Sequence, residues 1–260
     1  MRLIPSAILV VATVAGAGAA RAQEGSLSSI PLDTERVARR LEHTSRWSYA
    51  AADTVGDGQS VIGGELGWPD VTLGFLYGVS KNVDVGAKLE LAYGLEGTTS
   101  IHFGFGLRVP IRVNFVKKDK LSVLAHFDPG VKIYTGTLDK DFNQATGSYF
   151  DKMFFGITFP VGLAVAFSPT REWSIGLGVD VNLGLGVAGV GALSFGISPM
   201  AGPEIEYRID DQIVIGLNTR FGAGIAITSD TQYPEIGRYI PGDTITKFAF
   251  KTQLVLGYKM

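Results

Sequence analysis

The sequence predicts an all-β protein, an up-and-down antiparallel barrel of about ten strands that crosses a membrane with its apolar face outward. Three observations carry that expectation. Apolar and polar residues alternate with a period of two through most of the chain, glycine collects on the polar face, and the links between runs are alternately short and long. Composition agrees with this. Of 260 residues, 46% are hydrophobic, 18% are charged and 34 are glycine. Disorder needs the opposite balance of few apolar residues and many charges. A net charge of −2 gives no electrostatic footprint for nucleic acid. With no cysteine, disulfides, thiol nucleophiles and cysteine-based metal sites are excluded.

The first element is an address. Residues 1–22 have a positive start at Arg2, an apolar centre rich in Ala and Val, and an Ala20-Arg21-Ala22 end. Those are the parts of a cleavable signal peptide, with cleavage expected before Gln23. Residues 23–43 form an N-terminal segment, in which 33–43 read as a short helix capped by Asp33 and placed either in the periplasm or inside the lumen. The barrel is expected over 44–260. Its first strand is assigned to Arg46–Asp53, with Trp47, Tyr49 and Ala51 on one face. A strand from Gln59 to Leu66 would raise the count towards twelve.

From Val71 onward the alternation is regular. Ile101 to Phe115 places Ile101, Phe103, Phe105, Leu107, Val109, Ile111, Val113 and Phe115 on one face. His102, Gly104, Gly106, Arg108, Pro110, Arg112 and Asn114 lie on the other. Successive strand side chains point to opposite faces, so such a run has one greasy and one wet side. The same parity holds through the runs starting at Val71, Val83, Leu121, Met153, Trp173, Leu193 and Ile213. It switches in the last, where Phe248, Phe250, Leu254, Leu256 and Tyr258 are even. Short links near 80–82, 117–120, 168–172 and 210–212 alternate with longer ones near 94–100, 136–152, 188–192 and 229–243, as periplasmic turns and external loops do.

Glycine decides between a membrane barrel and a soluble sandwich. Positions 104, 106, 156, 162, 176, 178, 184, 186, 216, 222 and 224 are glycine, all on the wet face. A solvated outer surface has no need of that thinning, whereas a crowded barrel interior does. Pro110, Pro129, Pro160, Pro199 and Pro203 fall inside strands, and bulges are the expected accommodation.

Pairing the strands around the 117–120 turn sets Arg112 opposite His126 and residue 108 opposite residue 130. That register gathers Asp84, Arg108, Arg112, His126 and Asp128 into one inner cluster, either an ion-pair network that fills the lumen or a constriction that selects solutes by charge. Glu204 and Arg220 form a second inner pair, two residues off direct register. His102 falls about 30 Å from His126 along the strands, and His43 precedes the barrel, so the three histidines share no metal and no proton. No catalytic site, metal or cofactor is expected.

Over residues 44–260 the chain resembles small bacterial outer-membrane β-barrel proteins of the porin-like type. The carriers of the resemblance are the alternating runs and the terminal strand Leu254-Val255-Leu256-Gly257-Tyr258-Lys259-Met260. It implies a bacterial outer-membrane location, contact with outer-membrane lipids, and insertion by the barrel-assembly machinery that reads such a terminal strand. Two functional readings are weighed, and the first is the expectation. One is a narrow passive channel for small solutes or ions with a charged lumen. The other is a closed structural, adhesive or surface-interaction barrel acting through loops 136–152 and 229–243.

Overall fold

The computed structural model describes residues 46–260 except 96–97, 119, 136–153, 189–192, 234–237, 241 and 243. The expected signal peptide, the 33–43 helix, the 136–152 loop and parts of the 229–243 loop lie outside the described residues. The strands, in chain order, begin with β1 (Ser60–Trp68), β2 (Asp70–Ser80), β3 (Val83–Leu95), β4 (Thr98–Arg108) and β5 (Ile111–Lys118). Next come β6 (Leu121–Phe127), β7 (Gly130–Thr135), β8 (Phe154–Thr158), β9 (Val161–Phe167) and β10 (Trp173–Ala188). The series ends with β11 (Leu193–Arg208), β12 (Ile213–Thr228), β13 (Thr231–Tyr233), β14 (Arg238–Ile240) and β15 (Thr244–Lys259). β13 and β14 pair with each other as a hairpin between β12 and β15.

The rest make one closed antiparallel barrel of ten staves, because β15 pairs with β12 on one side and with β1 on the other. Three staves are each split by a proline. β4 and β5 meet at Val109-Pro110, β6 and β7 at Asp128-Pro129, and β8 and β9 at Phe159-Pro160. The breaks are neighbours, and backbone bonds cross them: Val109 N–H donates to Pro129 O at 2.9 Å, and Asp128 N–H to Pro160 O at 2.9 Å. A wall that must leave no carbonyl unpaired against lipid thus closes over three missing amide donors. Pro199 and Pro203 behave otherwise. β11 runs through both, and its register against β12 is unshifted from Ile197↔Ile225 to Met200↔Gly222, so no bulge forms there.

The ten-stave count matches expectation, but the first stave is β1 and not Arg46–Asp53. Trp47, Ser48, Tyr49, Ala51 and Ala52 are all buried, so this stretch has no face for lipid. It lies inside the lumen without helix or strand. The chain then reverses into β1 through Gly56 and Gly58, at φ 100° and 66°, where a side chain would be strained.

Side chains alternate as predicted, with the apolar face outside. Leu73, Phe105, Phe115, Leu177, Leu217 and Phe248 all point outward and are exposed. On the short-turn side, Tyr77, Trp173, Tyr207 and Tyr258 ring the outer wall, and the Trp173 and Tyr207 rings lie 4.8 Å apart. An apolar belt bordered by Trp and Tyr is the surface that a bilayer and its interface require. The fold is that of an outer-membrane β-barrel.

Candidate functional site

The lumen is built in two layers. The lower layer, at the short-turn end, holds residues 46–56. An irregular buried segment has no ladder partners, so its N–H and C=O groups need side chains from the wall. Lumen-facing positions supply them. Arg112 donates to the carbonyls of Ser48 (3.2 Å), Tyr49 (2.8 Å), Ala51 (3.2 Å) and Asp53. Asn114 and Ser122 donate to Ala52 O at 3.0 and 2.5 Å. Glu206 accepts from the amides of Ala50 (2.7 Å) and Ala51 (3.2 Å), and Asp84 accepts from Val55 N–H at 3.1 Å. Trp47 Nε1 donates to Asp211 O at 3.0 Å, and Arg208 donates to Trp47 O at 2.8 Å, which ties the segment to the β11–β12 turn.

Apolar packing completes this plug. Trp47, Tyr49 and Val55 form one buried cluster with Val61, Leu76, Val214 and Val255 from the wall. Burial of side chains of this size contributes about 1.5–3 kcal/mol each. The Tyr49 ring occupies space left by glycines: a Cβ on Gly63 would stand 2.5 Å from it, and Gly74 and Gly257 also border it. Burial holds the Tyr49 phenol well above its ordinary range.

The second layer lies above the plug and consists of ion pairs reaching across the lumen. Lys88 meets Glu65 at 2.7 Å and Asp128 at 3.9 Å. Glu90 is held by Arg108 at 2.9 Å and Lys132 at 2.6 Å. His126 Nε2 lies 2.8 Å from Asp180, and its Nδ1 lies 3.5 Å from Asp128. Arg220 bridges Asp180 (2.9 Å) and Glu204 (2.6 Å), and also donates to Gly202 O and Pro203 O at 3.0 and 3.2 Å. Those last acceptors sit beside the proline that has no amide for the ladder.

The five residues expected in one cluster are thus shared between the layers. Arg112 and Asp84, 3.7 Å apart, serve the plug. Arg108, His126 and Asp128 belong to the ion-pair layer, and Arg108 pairs with Glu90. The expected registers Arg112↔His126 and Arg108↔Gly130 are both present. Glu204 and Arg220 pair as expected, with Glu204 opposite Asn218. His43 lies outside the described residues.

Sequence reasoning passed over Glu65, Lys88, Glu90, Lys132, Asp180 and Glu206 as site residues, although a signal for two of the bridges is present. Gly106 is paired with Glu90 on one side and Lys132 on the other; Gly162 sits likewise between His126 and Asp180. A Cβ on Gly106 would come within 3.3 Å of both neighbouring side chains. A glycine between two opposite charges at matched register therefore marks a bridge over the glycine.

No protein-family model and no curated protein matches this sequence. Among solved structures, it is similar to the toluene transporter TodX of Pseudomonas putida, at 10% identity and a TM-score of 0.33 over 81% of this chain and 92% of that one. It is also similar to OmpT, an outer membrane protein of Vibrio cholerae, at 8% identity and a TM-score of 0.21 over 78% of this chain and 96% of that one.

Proposed function

We propose that this is an outer-membrane barrel closed by its own chain, which works at its outward-facing end as a structural, adhesive or surface-interaction protein. One observation carries the reading: residues 46–56 fill the short-turn half of the lumen, and Arg112 alone donates to four of their carbonyls. The short-turn end is periplasmic by the rule that such barrels keep short turns inside and longer loops outside. The reading takes 1–22 as a cleaved export signal, and outer-membrane lipids and the barrel-assembly machinery as partners. It also takes the protein as a non-enzyme.

A narrow passive channel for small solutes or ions is the second reading, favoured by the charged lumen. It requires residues 46–56 to leave. The deciding experiment is single-channel recording of the refolded mature chain in a planar bilayer, with folding checked by heat-modifiable gel mobility. The expected record is silent for the intact chain, with discrete steps when residues 46–56 are deleted. Steps from the intact chain would overturn closure and restore the channel.

A further inference from the structure

The staves next to β15 differ from it in height. β15 has 16 residues, whereas β1 and β2 have 9 and 11. The ladder between β1 and β15 runs from Val61↔Lys259 to Trp68↔Thr252 and stops there. Pro69 has no N–H to continue it, and its carbonyl is turned towards β3, where it accepts from Tyr93 and Gly94 at 3.1 and 3.0 Å. β12 stays paired with β15 as far as Thr244. Residues Thr244 to Lys251 thus have a ladder partner on one side, and among the described residues no strand pairs with the other. A strand as long as β1 rises about 30 Å along its axis and one as long as β15 about 50 Å. Tilted by about 45°, the first roughly matches an apolar band about 25 Å tall, and the second stands beyond it. Trp68 at the hairpin tip, with the Tyr93 ring at 5.8 Å, suits the interface at that level, so the bare edge of β15 faces the outside.

Which groups are bare follows from the alternation along β15. Lys259 N–H donates to Gln212 O on the β12 side, and Met260 N–H to Ser60 O on the β1 side. The register against β12 is unshifted up to Thr244, so Thr246, Phe248 and Phe250 aim N–H and C=O at the empty side. The odd residues between them bond to β12. On the outer face this edge is aromatic. Phe248 is 68% exposed, and the Phe221 ring lies 5.4 Å from Phe250 and 6.4 Å from Phe248. On the inner face Lys251 stands at the foot of the edge, across from Arg220.

We propose that this edge takes up an extended peptide segment of another protein, arriving from outside, as one added β-strand. The inference rests on the surface-interaction reading and gives it a class of partner. An unpaired edge is a template for a further strand. Main-chain bonds then supply affinity, and alternate side chains supply specificity. The segment that fits has apolar residues at every second position, against Phe248, Phe250 and Trp68, with polar or acidic residues between them on the Lys251 side. A second copy of this chain does not fit. Inserted the same way up, it is related by an axis along the membrane normal, which places its Phe248 and Phe250 on the Lys251 side of a joint sheet.

The test uses the refolded full chain in uncharged detergent micelles and an alternating Val–Glu octapeptide as the probe. Residue-resolved hydrogen exchange should find the Phe248 and Phe250 amides fast and those of Lys247 and Ala249 slow, and the peptide should slow the first two by about tenfold. The same peptide with alternate amides N-methylated keeps its side chains and should not bind, nor should a scrambled one. Phe248→Pro removes an N–H that β12 does not use, so it should fold, as heat-modifiable mobility checks, and abolish binding. Phe248→Ala leaves the backbone untouched and should weaken binding by about tenfold. Protection of Phe248 and Phe250 before peptide is added would mean that the chain covers its own edge. Protection that grows with protein concentration, together with a dimer mass in analytical ultracentrifugation, would mean a second copy. Either result overturns the proposal, as does a peptide that protects nothing. Bilayer recording separates it from the reading beneath it. A silent barrel that ignores the peptide keeps closure and loses the edge site, whereas a conducting barrel that takes the peptide loses closure and keeps the site.

Discussion

The two halves of the lumen use the same residue type on the same face for opposite ends. In the lower half, Gly63, Gly74 and Gly257 make room for the Tyr49 ring, and Gly78 makes room for the carbonyl of Gly56. In the upper half, Gly184 and Gly196 have no such occupant among the described residues. A thinned barrel interior is therefore not in itself a sign of a pore. It shows only that the wall side chains do not fill the lumen. What does fill it depends on whether another part of the chain can reach that level, and 46–56 enters from the end at which β1 begins.

The strongest way to break this contrast is to unseat the plug. Arg112→Ala removes the donors of four buried carbonyls and leaves Asp84 with an uncompensated charge. Breaking a buried charged pair of this kind costs about 3–5 kcal/mol, and orphaned carbonyls add to it. Urea unfolding in detergent micelles should show the loss. Trp47 fluorescence should shift to the red at lower urea than that of the wall, because the segment is released before the barrel opens. A single unchanged transition would show that the plug is not a separable unit.

A pair of matched substitutions sharpens the same contrast. Gly63→Ala places a methyl group against the Tyr49 ring, and overpacking of that kind costs about 1–3 kcal/mol. Gly184→Ala puts the same methyl at ordinary contact distance, 3.9 Å, from the Ile157 carbonyl oxygen, where the lost freedom of the unfolded chain makes it neutral or stabilising by up to about 1 kcal/mol. Unfolding midpoints for the two variants should move in opposite directions or differ clearly in size. Equal effects would mean that the halves are packed alike.

The wall was legible because a membrane enforces period two on every stave, so the outward face of β2 to β12 is written in the odd positions. The exception was β1. Its outward residues Ile62, Gly64, Leu66 and Trp68 are even-numbered, like those of its neighbour β15, and two of its inward positions are glycine, so no bulky alternation announces it. Arg46–Asp53 imitated a stave with Trp47, Tyr49 and Ala51. Trp47 and Tyr49 instead pack into one buried cluster with Val61, Leu76, Val214 and Val255 of the wall, and local pattern does not distinguish such packing from a strand. The pairs Arg112–His126 and Glu204–Arg220 followed from turn position and register. The role of Arg112 did not, because its partners are backbone carbonyls of a segment some sixty residues earlier, and carbonyls carry no sequence signature.

The smallest expected effect concerns the top of the plug. The Tyr49 hydroxyl is buried without a hydrogen-bond partner among the described residues, under the Lys88 ammonium group at 5.8 Å from the ring. Burial disfavours the phenolate, so the folded protein keeps Tyr49 protonated at a pH where the unfolded chain releases the proton. Below about pH 10 both states are protonated and Tyr49 gives no pH dependence. Above it the unfolded state binds fewer protons, and stability falls by up to about 1.4 kcal/mol per pH unit until the folded-state value is reached. Tyr49→Phe removes that slope while keeping the ring between the glycines. Near neutral pH it should be neutral or stabilising by up to about 1 kcal/mol, since an unpartnered polar group no longer has to be buried. Urea midpoints at pH 8 and pH 11 for the two proteins provide the check. A slope that Tyr49→Phe leaves unchanged would mean that water reaches the hydroxyl, and with it the level where the plug meets the ion-pair layer.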